Sequence, residues 1–524
     1  MSELRDKPIA VLGATGYIGG RIAPRLLDAG WRVRAVVRSA YKLRSRPWGG
    51  HPGLDVAEAD VADRESLSRA LAGCGAAYYL VHSMSPARGG GAAGGGFADA
   101  DLAAARNMAA AAAEQGLSRI IYLGGLGEEG PDLSPHLRSR IETGRALQAG
   151  PVPVTWLKAA MILGAGSASF EILRYLVERL PAMLTPAWVH TTCQPIACTN
   201  VLGYLLGCLE NEATVGREFD IGGPDVLTYE DLFRIYARVA GLPRRLIVPV
   251  PVLTPRLSSW WIHLVTPVPA SLARPLAEGL RNRVVCREHA IRELIPQNLL
   301  TCEQAIRRAL GRITSHDVET CWSDAGLALP PEWLTAGDAP YAGGDVLECN
   351  HRVVLGCAPE AVWGVLKRIG GSTGWFHGQI LWVLRGWLDL AVGGVGLRRG
   401  RRHPVDIRPG DALDFWRVLA VEENRMLLLS PEMRLPGEAV FLFQIEPQAE
   451  GRCELRQITR YFPRGLTGLA YWWSLYPVHR WLYSGMLRKI AARTRAPILA
   501  GPEHFAGSAA MCRLPDGMHP RAGA

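Results

Sequence analysis

The chain has 524 residues, 48% of them apolar, which is enough to fill cores in two or three domains. The formal charge is +9, but the basic residues are scattered and lysine occurs only at Lys7, Lys42, Lys158, Lys367 and Lys489. A nucleic-acid surface should cluster its cations, so no nucleic-acid partner is expected. The eleven cysteines form no C-x-x-C pair, and Cys193 and Cys198 are too isolated for a metal site, so no metal and a reducing cytoplasm are expected.

The opening "MSELRDKPIAVLG" lacks the charged-then-apolar layout of a secretory signal. Next, "PIAVLGA" predicts a buried strand and "GGRIAPRLLDAG" a helix. Between them, "VLGATGYIGG" places Gly13, Gly16 and Gly19 in a strand–turn–helix setting. Residues without Cβ let the backbone approach a diphosphate, and the helix N-terminus offers its amides to the negative charge. Gly13, Thr15, Gly16, Tyr17, Ile18 and Gly19 are therefore the expected dinucleotide cradle. The alternative is a glycine-rich turn without a ligand.

"WRVRAVVRS" predicts the second strand, and it ends on Arg38. An NAD site places a carboxylate there for the ribose hydroxyls. A guanidinium instead matches a 2′-phosphate, so NADP is the expected cofactor and NAD the alternative. Asp60 and Val61 in "EADVAD" follow the third strand and should meet adenine. "DRESLSRALAG" predicts a helix. "AAYYLVHS" is the fourth strand, whose end (Leu80, Val81, His82) should pass under the nicotinamide-side ribose. The segment 87–97 is expected to be a mobile glycine-rich loop. A long helix over 97–116 and a fifth strand, "SRIIYLGG", follow. Strand–helix alternation of this kind predicts a doubly wound parallel sheet of the Rossmann type.

The pattern continues to about residue 313. Thr228 is the expected N-cap of a helix, with Asp231 completing a variant capping box. "LIVPVPVLTPRLSSWWIHLVTPVPASL" (246–272) contains Arg256 and several prolines, so it offers no clean span of about twenty apolar residues. Its Trp260, Trp261 and His263 are read as packing within a domain, or alternatively as lying at a membrane surface.

Residues 7–313 resemble atypical short-chain dehydrogenases/reductases of the NmrA-like, NAD(P)-binding group. The carrying motifs are "GATGYIGG", "VVRS", "ADVAD", "YYLVHSM", "IIYLGGLG" and "PVTWLKAAMILGAGSASFE". The resemblance implies a serine after the fifth strand and a Tyr-x-x-x-Lys pair on the next helix. Here Gly124 and Gly125 stand at the serine, His136 at the tyrosine and Arg140 at the lysine. His136 is read as a replacement acid/base beside Arg140; alternatively both only cap or solvate the helix. Lys158 in "WLKAAM" is expected to meet a substrate anion or the nicotinamide ribose, or to be a solvated charge. Ser167, Ser169 and Glu171 are candidate pocket groups, with capping the favoured role for the serines.

The domains are placed at 1–325 (with a substrate subdomain over 160–313), a linker at 326–344, a second domain at 345–495 and a disordered tail at 496–524. In the second domain, strand-like runs separated by turns lie between a short helix and a long one interrupted by Pro477, which argues for an α+β fold. "GWFHG", "LRRGRRHPVDIRPGD" and "EMRLPGEA" resemble the helix-grip superfamily of polyketide cyclases and START lipid-binding proteins. That resemblance implies a cavity for an apolar ligand. The basic turn "LRRGRRHP" (397–404) is read as a solvated loop or a receptor for an anionic head group.

The expected function is an NADP-binding atypical oxidoreductase acting on, or sensing, a hydrophobic small molecule. Alternatives are a non-catalytic redox sensor and a lipid-binding protein in peripheral membrane contact.

Overall fold

The computed structural model describes residues 2–44, 46–81, 97–128, 130–131, 133–250, 265–266, 268, 270–315, 317–325 and 346–505. The expected linker, the loop at 87–96, His82, Trp260, Trp261 and His263 lie outside the described residues. The chain divides into two units, Met1–Ala325 and Gly326–Ala524.

The first unit is built on seven parallel strands: β1 (Ile9–Leu12), β2 (Val33–Val37), β3 (Leu54–Glu58), β4 (Ala76–Tyr79), β5 (Arg119–Gly125), β6 (Val154–Ala159) and β7 (Glu218–Ile221). Their order across the sheet is β7-β6-β5-β4-β1-β2-β3. All four residues of β1 are fully buried, as a central strand covered by helices on both faces requires. The order reverses between β1 and β4, the crevice where doubly wound sheets bind ligands. Helices α1 (Gly19–Asp28), α2 (Arg64–Leu71), α3 (Phe97–Glu114) and α4 (Pro135–Gln148) join the strands. Farther on lie α5 (Ala168–Arg179), α6 (Cys198–Glu210), α7 (Tyr229–Val239) and α8 (Cys302–Thr314). Thr228 and Asp231 form the expected capping box on α7, and Ser167 caps α5 through the Phe170 amide.

The segment following α8 lies across α1. Arg21 donates from Nε to Thr320 Oγ1 at 2.8 Å, and Thr320 in turn donates to the Tyr17 carbonyl at 2.8 Å. Glu319 pairs with Arg25 at 3.1 Å and with Arg312, and Asp324 pairs with Arg46 at 2.9 Å. The strap thus holds the turn before α1 from outside.

The second unit is an antiparallel sheet. Its principal strands are β8 (His351–Leu355), β9 (Trp416–Glu422), β10 (Met426–Pro431), β11 (Gly437–Gln448), β12 (Arg452–Pro463) and β13 (Ile498–His504). Helices α9 (Pro359–Leu366) and α10 (Gln379–Ala391) follow the first strand, and α11 (Gly465–Thr494) packs on the sheet. Three expectations are corrected. Pro477 does not interrupt α11: it sits on an exposed face, where the lost N–H costs least, and the helix runs on for 30 residues. The tail is not disordered from 496, because β13 adds beside β8 at the sheet edge. The turn at 397–404 is partly exposed, but its arginines are engaged within the unit rather than free for an anion. Arg399 and Arg417 share Glu432, Arg401 donates to the Ile369 and Asp406 carbonyls, and Arg402 is held by Asp411 at 2.8 Å. Trp375, Phe415, Trp416, Phe441, Tyr483 and Met486 fill the space between sheet and helix.

Burial pushes the Glu319 carboxyl up, but Arg25 and Arg312 more than offset this and hold it down at about 2. A depressed carboxyl stabilises the fold above its unfolded pKa and loses that contribution as pH falls through the folded value. Glu319→Gln should therefore cost on the order of 2–3 kcal/mol at neutral pH. The difference from the parent, measured by urea unfolding, should close as pH drops from about 4.5 towards 2.

Candidate functional site

The site is built from the β1–α1 turn. Gly13 has φ +84°, and a Cβ there would stand 2.9 Å from the Leu80 carbonyl at the end of β4. A Cβ on Gly19 would stand 2.1 Å from the Gly13 carbonyl. Only glycine satisfies both positions, because one needs a left-handed backbone and the other a close backbone crossing. The turn closes with Gly16 N–H donating to Gly13 O at 2.8 Å, and Gly20 N–H donates to Gly16 O. Among the described residues the Tyr17 and Ile18 amides at the head of α1 have no acceptor. These donors, with the positive end of a ten-residue helix, fit a diphosphate. Thr15 lies in the same partly exposed turn. The Tyr17 side chain points elsewhere: Arg21 stacks on its ring at 4.4 Å, and its hydroxyl is buried beside the Cys198 thiol. Tyr17 therefore serves the cradle through its backbone.

Arg38 ends β2 as an exposed residue. Beside it, the Ala40 amide donates to Glu58 at 2.7 Å, so that carboxylate is drawn into the turn. Asp60 accepts from the Ala62 amide at 2.9 Å, which shapes the loop that carries Val61. Asn107 on α3 holds this loop by donating to the carbonyls of Val61 and Ala62, both at 3.0 Å. Asn107 was missed in the sequence; its signal was a lone amide inside an alanine-rich helix. Leu80 and Val81 border the glycine turn from β4.

The catalytic positions are arranged differently from the expectation. A Cβ on Gly124 would lie 2.3 Å from Trp156 Nε1, so the indole of β6 occupies the space a serine would need. His136 is the second residue of α4, behind Pro135 and the Ser134 cap. Arg140, one turn later, donates to the Leu123 carbonyl and lies over the Tyr122 ring at 5.2 Å. The Tyr122 hydroxyl donates back to the Arg140 carbonyl at 2.9 Å. Arg140 is thus a clasp between α4 and β5, which corrects its reading as half of a catalytic pair. The Lys158 ammonium is partly exposed, pairs at 2.5 Å with Glu218 at the start of β7 and sits 4.6 Å over Trp156, which fits its reading as a solvated charge. Glu171 is buried and accepts from the Gly166 amide at 3.0 Å, so it braces the turn before α5.

Residues 13–149 match the family model described as NAD(P)H-binding. That match makes residues 13–149 an NAD(P)H-binding domain, and the sheet order of the first unit is that of a Rossmann fold. Residues 347–486 match the model described as "Protein of unknown function (DUF2867)". A Streptomyces griseus (4-alkanoyl-5-oxo-2,5-dihydrofuran-3-yl)methyl phosphate reductase is 26% identical over 45% of this chain and 75% of its own length. A divinyl chlorophyllide a 8-vinyl-reductase of Oryza sativa is 28% identical over 47% of this chain and 62% of its own. A solved structure of Citrobacter sp. triphenylmethane reductase with NADP(H) shares 20% identity, covering 58% of this chain and 99% of that one, with a TM-score of 0.46.

A serine at position 124 should not raise turnover. Gly124→Ser must displace the Trp156 indole and should cost on the order of 1–3 kcal/mol. A lowered thermal midpoint with no gain in NADPH turnover is the expected result.

Proposed function

We propose that the first unit is an NADP(H)-dependent reductase of a hydrophobic small molecule with a conjugated carbonyl or alkene. The observation that carries this reading is the open pair of amides at Tyr17 and Ile18, with Arg38 at the end of β2 where an acidic residue would select NAD. The names of the Streptomyces and Oryza relatives, both reductases, support the reaction class. Bound nicotinamide would supply a hydride to the substrate carbon. The balancing proton comes from His136 or from water, since Gly124 and Arg140 leave no serine or lysine in their usual roles. The second unit is read as a helix-grip relative, supported by its strand–helices–strands–helix order, although aromatic rings fill the sheet–helix space.

A second reading is a redox sensor that binds the nucleotide without turning it over. It is favoured by the Trp156 indole at the serine position and by the engaged guanidinium of Arg140.

Two variants separate these readings. Arg38→Asp should weaken NADPH binding about tenfold or more in calorimetry while leaving NADH within about twofold. Equal loss for both nucleotides contradicts the 2′-phosphate assignment. His136→Ala should slow NADPH oxidation with a panel of enones by about 10²-fold or more. Absence of turnover in the parent, with unequal affinities for NADP+ and NADPH, favours the sensor.

A further inference from the structure

The second unit contains a cavity of about 550 Å³ between α11 and the strand β13. Its charged lining is Arg480, Arg488 and Lys489, joined by His351, His377 and His504, and among the described residues no carboxylate lines it. Arg480 and Arg488 are eight residues apart, so they share one face of α11 with Ser484 between them. Among the described residues none of these three cations makes an ion pair. His351 is 4% exposed and lies opposite Gln457 on the neighbouring strand, within hydrogen-bonding reach of its side chain. Burial, with His504 and Arg480 nearby, lowers its pKa to about 4, so the imidazole is neutral at physiological pH. The His377 ring lies 4.3 Å from Trp481 and packs where a Cβ on Gly485 would be, 2.1 Å from its ring carbon. Gly485 thus lets an imidazole approach the helix backbone at the cavity wall.

Like charges collected in one concavity repel unless an anion neutralises them. Guanidinium forks suit the oxygens of a phosphate, which accept several bonds at once. We propose that this cavity is a phosphate-binding site that takes a phosphomonoester group. Arg480, Arg488 and Lys489 supply the charge and the donors, with Ser484 between the two arginines on the same helix face. A soluble organic phosphate and the head group of an anionic lipid share this chemistry. The lipid source has local support. Trp473 and Trp481, on the same helix, are 58% and 55% exposed. The stripe Ile380, Leu384, Trp387 and Leu388 on α10 is exposed as well.

The test uses the full chain. Inorganic phosphate is titrated by calorimetry, and phosphatidylcholine vesicles with and without phosphatidic acid are used in co-sedimentation. The same measurements are made on Arg480→Gln/Arg488→Gln, in which both changed side chains are exposed. The expected result is binding in at least one arm that weakens at least about tenfold in the variant, with an unchanged thermal midpoint and unchanged NADPH affinity. Binding to phosphate alone assigns a soluble ligand, and binding only to phosphatidic acid vesicles assigns a head group. No binding in either arm, or equal binding by parent and variant, overturns the proposal. The NADPH control keeps this outcome separate from any failure of the nucleotide reading.

Discussion

The first unit depends on one backbone constraint. The chain must leave β1, turn beneath the end of β4 and enter α1 without a Cβ at Gly13 or Gly19. That turn leaves two peptide donors unpaired at the positive end of a helix. Such donors are costly to leave buried and useful only if an acceptor arrives. The Rossmann sheet order places this opening at the β1/β4 crevice. Side-chain contacts elsewhere support it rather than create it. Asn107 steadies the loop that carries Val61, and Thr320 holds the Tyr17 carbonyl from the strap.

Away from the cradle, the usual chemistry of the fold has been replaced by packing. Trp156 fills the serine's space, and Arg140 ties α4 to β5 through a carbonyl and an aromatic face. These are interior solutions: each satisfies a buried surface and leaves no room for a Ser-Tyr-Lys set. A reductase on this scaffold has to draw its proton from His136 or from water, and a sensor needs none.

Legibility followed the range of the forces involved. β1, β2, β4 and β5 are short and largely buried, and glycine turns punctuate them, so local pattern locates them. Capping at Thr228 and Ser167 was readable for the same reason, since donor and acceptor are three residues apart. What local pattern could not supply was pairing at long range. Nothing near Lys158 announces Glu218, sixty residues on. The arginines of 397–404 looked free because Glu432 and Asp411 come later in the chain. "ILAGPEH" carries a Gly-Pro pair that breaks strand alternation, yet as β13 it is the edge partner of β8. The cations of α11 are interleaved with aromatic residues, so no basic run marks them in the sequence.

The central claim, that the open amides of Tyr17 and Ile18 receive a pyridine nucleotide's diphosphate, is tested most directly by hydrogen–deuterium exchange with and without saturating NADPH. Peptides covering residues 13–19 should exchange slowly in its presence and rapidly in its absence. Identical exchange in that turn under both conditions would contradict the account.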